Sequence, residues 1–182
     1  MGSKGVSWEY EKSAKILYLI IAVLGFIFFV LISPGVSHEK QVVGWLEKVC
    51  IYPGNLIINA KLDTGARNSS LNVSHITEFV RNGKQWVRFN VTDRYGNTAT
   101  IEKKIHRTVK IKDHDGKPQL RLAVLLCISL GSFHKEVEVN LADRSYFNYQ
   151  MLIGRSFLAG NVIVDSSIKY TTKPICKSVL RQ

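Results

Sequence analysis

Residues Ala60 to Leu71 read AKLDTGARNSSL, which places one carboxylate, Asp63, between an apolar run and a turn of the small residues Thr64, Gly65 and Ala66. Peptide hydrolysis without a metal or a nucleophilic side chain needs one carboxylate to take a proton from water while a second, protonated, polarises the carbonyl. Two carboxyls held about 3 Å apart cannot both ionise, so such a pair shares one proton and titrates as a unit. Asp-Thr-Gly occurs once, and Val164-Asp165-Ser166-Ser167 lacks the glycine, so Asp165 reads as structural. The second carboxylate would then be Asp63 of another subunit, met on a twofold axis. The plain alternative is a strand that ends in an Asp-x-Gly turn, with Asp63 as its polar end.

The elements that would carry this turn are strands. Short β-rich runs recur between turn signals: NLIINAKLD, QWVRFNV, NTATIEKKIHRTVKI, LRLAVLLCISL and the cleanly alternating KEVEVNL. That is the pattern of an all-β barrel or sandwich. Arg94-Tyr95-Gly96-Asn97 and Gly131-Ser132 mark turns, and His114-Asp115-Gly116-Lys117-Pro118 marks a tight hairpin, because Asp-Gly supplies the positive φ angles a reversal needs. MLIGRSFL is expected to open a short helix after Gly154, and NVIVDSS follows it.

Three features act together: Asp63-Thr64-Gly65 follows an apolar run, Ala66 follows the glycine, and Leu152-Ile153-Gly154-Arg155 lies far downstream. In this order they resemble the retropepsin-like aspartic peptidases, where a strand delivers Asp-Thr-Gly-Ala to a dimer axis and a hydrophobic-hydrophobic-Gly-Arg segment packs behind it. AKLDTGARNSSL, NLADRS and MLIGRSFLAGNVIVDSS look like the bacterial branch labelled "ATP-dependent zinc protease" and associated with RimK-type neighbours. The resemblance covers Gly44 to Tyr170 and implies a closed acid-protease β-barrel, a homodimer and a peptide or protein substrate. It implies Asp63 as the catalytic residue, with Thr64 bracing the loop, Gly65 admitting the substrate backbone, Ala66 flooring the site, and Gly154 and Arg155 supporting it from behind. The zinc and ATP of that label find no counterpart: His38, His75, His106, His114 and His134 lack the spacing of a zinc site, and no phosphate loop occurs, so no metal or cofactor is expected.

The chain departs from the viral-type pattern after Ala66, where Arg67 and Asn68 replace acidic residues. The usual partner of Arg155 is thereby missing, and Asp143 or Asp165 is expected in its stead. Arg67 and Asn68 are cleft candidates, as are Asp115 and Gly116 at the tip of a charged flap hairpin. An extra hairpin, about Gln85 to Glu102, precedes the flap.

Residues 16–32, ILYLIIAVLGFIFFVLI, carry no charge, which predicts a transmembrane helix. Lys4, Lys12 and Lys15 before it leave residues 1–15 in the cytoplasm and the rest outside, in the periplasm of a Gram-negative cell. A signal peptide cleaved near Gly35-Val36-Ser37 is the rival to an uncleaved anchor. The expected order is a cytoplasmic N-terminus, the anchor, a linker over 33–43, a peptidase domain over 44–176 and a tail over 177–182.

The net charge of +11 makes the outer domain basic. Its basic residues alternate with apolar ones instead of clustering, so anionic envelope polymers, lipid headgroups or acidic substrates fit better than nucleic acid, and a plain solvated basic surface is the simplest explanation of all. Cys50, Cys127 and Cys176 are too few for a disulfide scaffold, and Cys50 pairs with Cys176 only if the terminal strands are neighbours. Two other readings stand beside the peptidase: an idle retropepsin-like module that binds peptides or partners in the same groove, and a basic exported domain that binds an acidic polymer.

Overall fold

The computed structural model describes residues 6–31, 39–112 and 118–176, in α1 with the side chains of Glu11 and residues 14–26. Two compact units divide the chain, Met1–His38 and Glu39–Gln182. The first contains helix α1, Val6–Leu31, whose apolar side chains from Ile16 to Phe26 are exposed. Among the described residues no helix is long and apolar enough to cross a membrane. The transmembrane helix expected over 16–32 is therefore not supported by them. Asp115 and Gly116, most of the linker and the tail over 177–182 lie outside the described residues.

Among its described residues the second unit is all-β apart from one short helix. Its strands are β1 Gln41–Gly44, β2 Leu46–Tyr52, β3 Leu56–Leu62, β4 Ser69–Asn72, β5 Ser74–Arg81, β6 Lys84–Thr92, β7 Thr98–Lys112, β8 Pro118–Leu130, β9 Phe133–Ala142, β10 Met151–Ile153 and β11 Val162–Asp165, with helix α2 at Arg155–Leu158. β1 takes in residues assigned above to the linker, because it pairs in parallel with β11. Nine strands follow the order β2-β3-β10-β4-β9-β8-β7-β6-β5, and a further β2–β8 pairing closes the first six into a barrel. One edge of β8 makes this closure: it pairs with β7 up to Val124, then with β2 from Cys127 to Ser129.

Period-two patterning explains how Asp63 is delivered. In β3, Leu56, Ile58, Ala60 and Leu62 are buried while Ile57 and Lys61 are exposed. The inward set ends at Leu62, so Asp63 leaves the strand on its outward side. The barrel interior is filled by large apolar side chains such as Ile51, Ile58, Leu71, Leu126, Met151 and Phe157, all buried.

The C-terminal segment returns across the start of β2 as a strap. Trp45 N donates to Ile168 O at 3.1 Å, and Tyr170 N to Leu46 O at 2.8 Å. The buried Glu47 carboxylate accepts from the backbone N–H and hydroxyl of both Thr171 and Thr172, and from Gly44 N. A disulfide joins Cys50 to Cys176, with Cα atoms 5.5 Å apart.

Candidate active site

The Asp63 loop hangs between two elements of the barrel. At its start, Asp63 N donates to Ile153 O at 2.8 Å, in line with the parallel β3–β10 pairing. The chain then folds back on the carboxylate: Asp63 Oδ1 accepts from Gly65 N at 2.9 Å and Ala66 N at 3.2 Å. These bonds fix one carboxylate oxygen and turn the group relative to the loop. A Cβ on Gly65 would stand 3.2 Å from that same oxygen, tighter than most real contacts, which is why the tightest point of the turn takes glycine. Asp63 and Ala66 are half-buried, whereas Thr64 and Gly65 are exposed, so the loop presents its face to solvent.

Gly154-Arg155-Ser156 backs the loop. Arg155 N donates to Ala66 O and Ser156 N to Arg67 O, each at 2.9 Å. Gly154 N donates to Ser69 Oγ at 3.2 Å. The two backbones approach so closely that a Cβ on Gly154 would lie 2.6 Å from Asn68 O. The Arg155 side chain then reaches over the turn, where Nη1 donates to Thr64 O at 2.9 Å and to Gly65 O at 2.6 Å.

Arg155 thus braces backbone carbonyls, and neither Asp143 nor Asp165 replaces the missing acid. Asp143 accepts from Ser145 N at 2.9 Å and Asp165 from Ser167 N at 2.8 Å, each closing its own local turn. The Ser145 backbone N–H foremost for Asp143, and the Ser167 hydroxyl foremost for Asp165, hold both carboxyls below the usual aspartate range. Asp165 also accepts from the Ser167 hydroxyl, so its carboxylate is engaged within its own turn.

Beyond the turn, Arg67 is exposed, and the half-buried Asn68 donates through Nδ2 to Glu138 Oε1 at 2.6 Å. Glu138 went unnoticed in the sequence, as did Arg144, a half-buried cation stacked at 4.4 Å over the Phe147 ring. Burial lowers the Arg144 pKa, neighbouring Arg121 adds to the effect, and the Asp63 charge opposes both. A positive group therefore sits within electrostatic reach of Asp63. The only signal available beforehand was NLADRS, where Arg144 reads as one more surface cation.

The family model described as RimB-like, retropepsin-like aspartic endopeptidase RimB, matches residues 42–174. The chain belongs to this family. It is 33% identical over 136 residues to a protein of Shewanella pealeana named probable alpha-L-glutamate ligase, and to the same extent to its Shewanella halifaxensis counterpart. Each match takes in 72% of this chain but 30% of the relative, so the chain spans under a third of those proteins' length. Among solved structures, a Legionella pneumophila protein of unknown function is 35% identical, with a TM-score of 0.66, over 74% of this chain and 100% of that one.

Proposed function

We propose that this RimB-like domain is a membrane-anchored aspartic endopeptidase, in which the Asp63 carboxylates of two subunits activate water between them. The observation that carries this reading is the Asp63 turn itself: a single carboxylate, oriented by Gly65 N and Ala66 N, on a solvent-facing loop braced from behind by Arg155. A strand end with no chemical task does not need its carbonyls held by a guanidinium.

In the proposed reaction one Asp63 is ionised and takes a proton from water. The other is protonated and donates to the scissile carbonyl as the hydroxide attacks, and the pair then returns the proton to the leaving amine. The exposed Arg67 and the Arg144–Arg121 pair favour a substrate bearing carboxylates. The name of the Shewanella relatives, probable alpha-L-glutamate ligase, points the same way, since it too concerns bonds to glutamate, an amino acid that bears a side-chain carboxylate. For location, the uncharged run over residues 16–32 supports an anchor, and the Cys50–Cys176 disulfide supports an oxidising compartment such as the periplasm.

The test incubates full-length protein, in bilayers, with a peptide pool that includes glutamate-rich members, from acid to neutral pH, beside Asp63→Asn. The amide fills the same volume but cannot move the proton, so turnover is expected to vanish with fold and dimer intact. Equal cleavage by Asp63→Asn removes the aspartic mechanism, and saturable binding without cleavage by both proteins establishes a peptide-binding module.

A further inference from the structure

Asn68 is tied to more than its own loop. Besides the bond from Asn68, the Glu138 carboxylate receives a fork from Arg107, Nε to Oε2 and Nη2 to Oε1, each at 2.7 Å. His106 Nε2 stands 3.7 Å from Oε2. The Glu138 side chain is only 14% exposed, so solvent screens these charge-assisted bonds weakly. Three elements meet at one carboxylate: the loop that follows Asp63, strand β9 and strand β7.

The sheet has been bent to make this meeting. Ser69 lies opposite Val139 in the parallel β4–β9 pair, so Asn68 comes alongside Glu138. On the far side, Ile105 lies opposite the buried Val124, and regular antiparallel pairing would set Arg107 opposite Leu122, on that same inward face. A register shift between Ile105 and Arg107 instead sets Arg107 opposite Ala123. Ala123 shares its face with Leu125, the residue opposite Glu138. One extra residue in β7 therefore turns Arg107 outward onto Glu138, the use to which bulges beside active sites are put.

We propose that Glu138 is a positioning residue for the Asp63 loop: its carboxylate clamps Asn68 to Arg107 and so fixes the loop whose Gly65 and Ala66 N–H groups orient Asp63. This rests on the peptidase reading for its kinetic arm alone. The Glu138 carboxyl is held below the usual glutamate range, first by the Arg107 bonds and further by His106 and Arg67, so the clamp stays charged through neutral pH. An amide in place of the carboxylate offers a single acceptor oxygen, which cannot serve Asn68 and both arms of Arg107.

The test compares full-length parent, Glu138→Gln, Asn68→Asp and the swapped pair N68D/E138Q by glutamate-peptide hydrolysis and by hydrogen exchange of peptides covering residues 63–71. Glu138→Gln is expected to lower kcat about tenfold with KM within about threefold, and to speed exchange in the loop about tenfold. Asn68→Asp, which sets two carboxylates against each other, is expected to be worse on both measures. In the swapped pair the new amide donates to the new carboxylate while its oxygen keeps one arm of Arg107, so both measures are expected to recover part of the way from Asn68→Asp toward parent. Loop exchange in Glu138→Gln equal to parent overturns the clamp, and so does a swapped pair that recovers nothing. A parent that cleaves no peptide refutes the peptidase reading by itself, while the exchange measurements still decide the clamp.

Discussion

Glu47 offers the sharpest test of how the barrel holds its C-terminal strap. The side chain is fully buried and is the shared acceptor of five donors: Gly44 N, Thr171 N and Oγ1, and Thr172 N and Oγ1. Glu47→Gln keeps the volume but turns one oxygen into a donor that faces other donors. At least the two Thr172 bonds, or their Thr171 equivalents, are then lost. Hydrogen bonds to a charged group contribute about 1.5–3 kcal/mol each, and partial rearrangement recovers some of that, so a loss of about 3 kcal/mol is expected. For a domain of this size that lowers Tm by about 10 °C, read by circular dichroism at pH 7.

The pH dependence of that loss has a definite sign. Burial pushes the Glu47 carboxyl up, but the bonds from Thr171, Gly44 and Thr172 outweigh it and hold the group below its ordinary value of 4.5. A folded-state pKa below the unfolded one contributes stability above the unfolded value and loses it as pH falls through the folded value. The gap in Tm between parent and Glu47→Gln is therefore expected to be full at neutral pH and to close progressively below about pH 4.5. A gap under about 2 °C at pH 7, or one that persists unchanged at pH 3, refutes the clamp at Glu47.

Gly154→Ala is expected to cost about 3 kcal/mol or more, because its Cβ meets backbone atoms of Asn68 and Arg67 at 2.6–2.8 Å; denaturant unfolding measures this, and a parent-like midpoint refutes the close approach. Cys176→Ser opens a covalent loop of 126 residues and should lower stability by about 2–4 kcal/mol, with reductant shifting the parent Tm and leaving the variant's unchanged. Arg67→Ala removes an exposed positive charge next to the Asp63 turn, so under the proposed peptidase activity cleavage beside acidic residues should weaken in a peptide-pool assay. An unchanged cleavage preference places Arg67 outside the cleft.

What could be read in the chain beforehand follows the range of the interactions. The alternation in LIINAKL and KEVEVNL and the turn at Gly131-Ser132 are local, and β3, β9 and the reversal between β8 and β9 stand where these features put them. Strand β5 was missed because nearly all of it is exposed and shows no alternation, although Asn82 and Gly83, both at positive φ, supply the hairpin turn behind it. Glu47 carries no local signal of its burial, since its donors arrive from a segment more than a hundred residues away. The pairing of Cys50 with Cys176 stayed open for the same reason: it depends on the path of the strap. Arg155 was expected to seek an acid and found carbonyls, which no pattern of side-chain types reveals. The Asn68–Glu138–Arg107 contact needed the β7 register shift, and a single irregular pairing leaves no mark in the sequence.

The disulfide also changes what a protease can do to this domain. Everything between Cys50 and Cys176 belongs to one covalent ring that holds the Asp63 loop, the long β7–β8 hairpin and the Gly154-Arg155 backing. A single cut at an exposed turn, such as Tyr95 to Asn97, opens the ring into a linear strand without releasing either part. The two flanks of the cut stay tethered through sulfur, and the nicked molecule travels as one species until it is reduced. In a compartment rich in proteases and poor in thiols, such a domain survives its first wound with its Asp63 turn and its brace still on the same molecule.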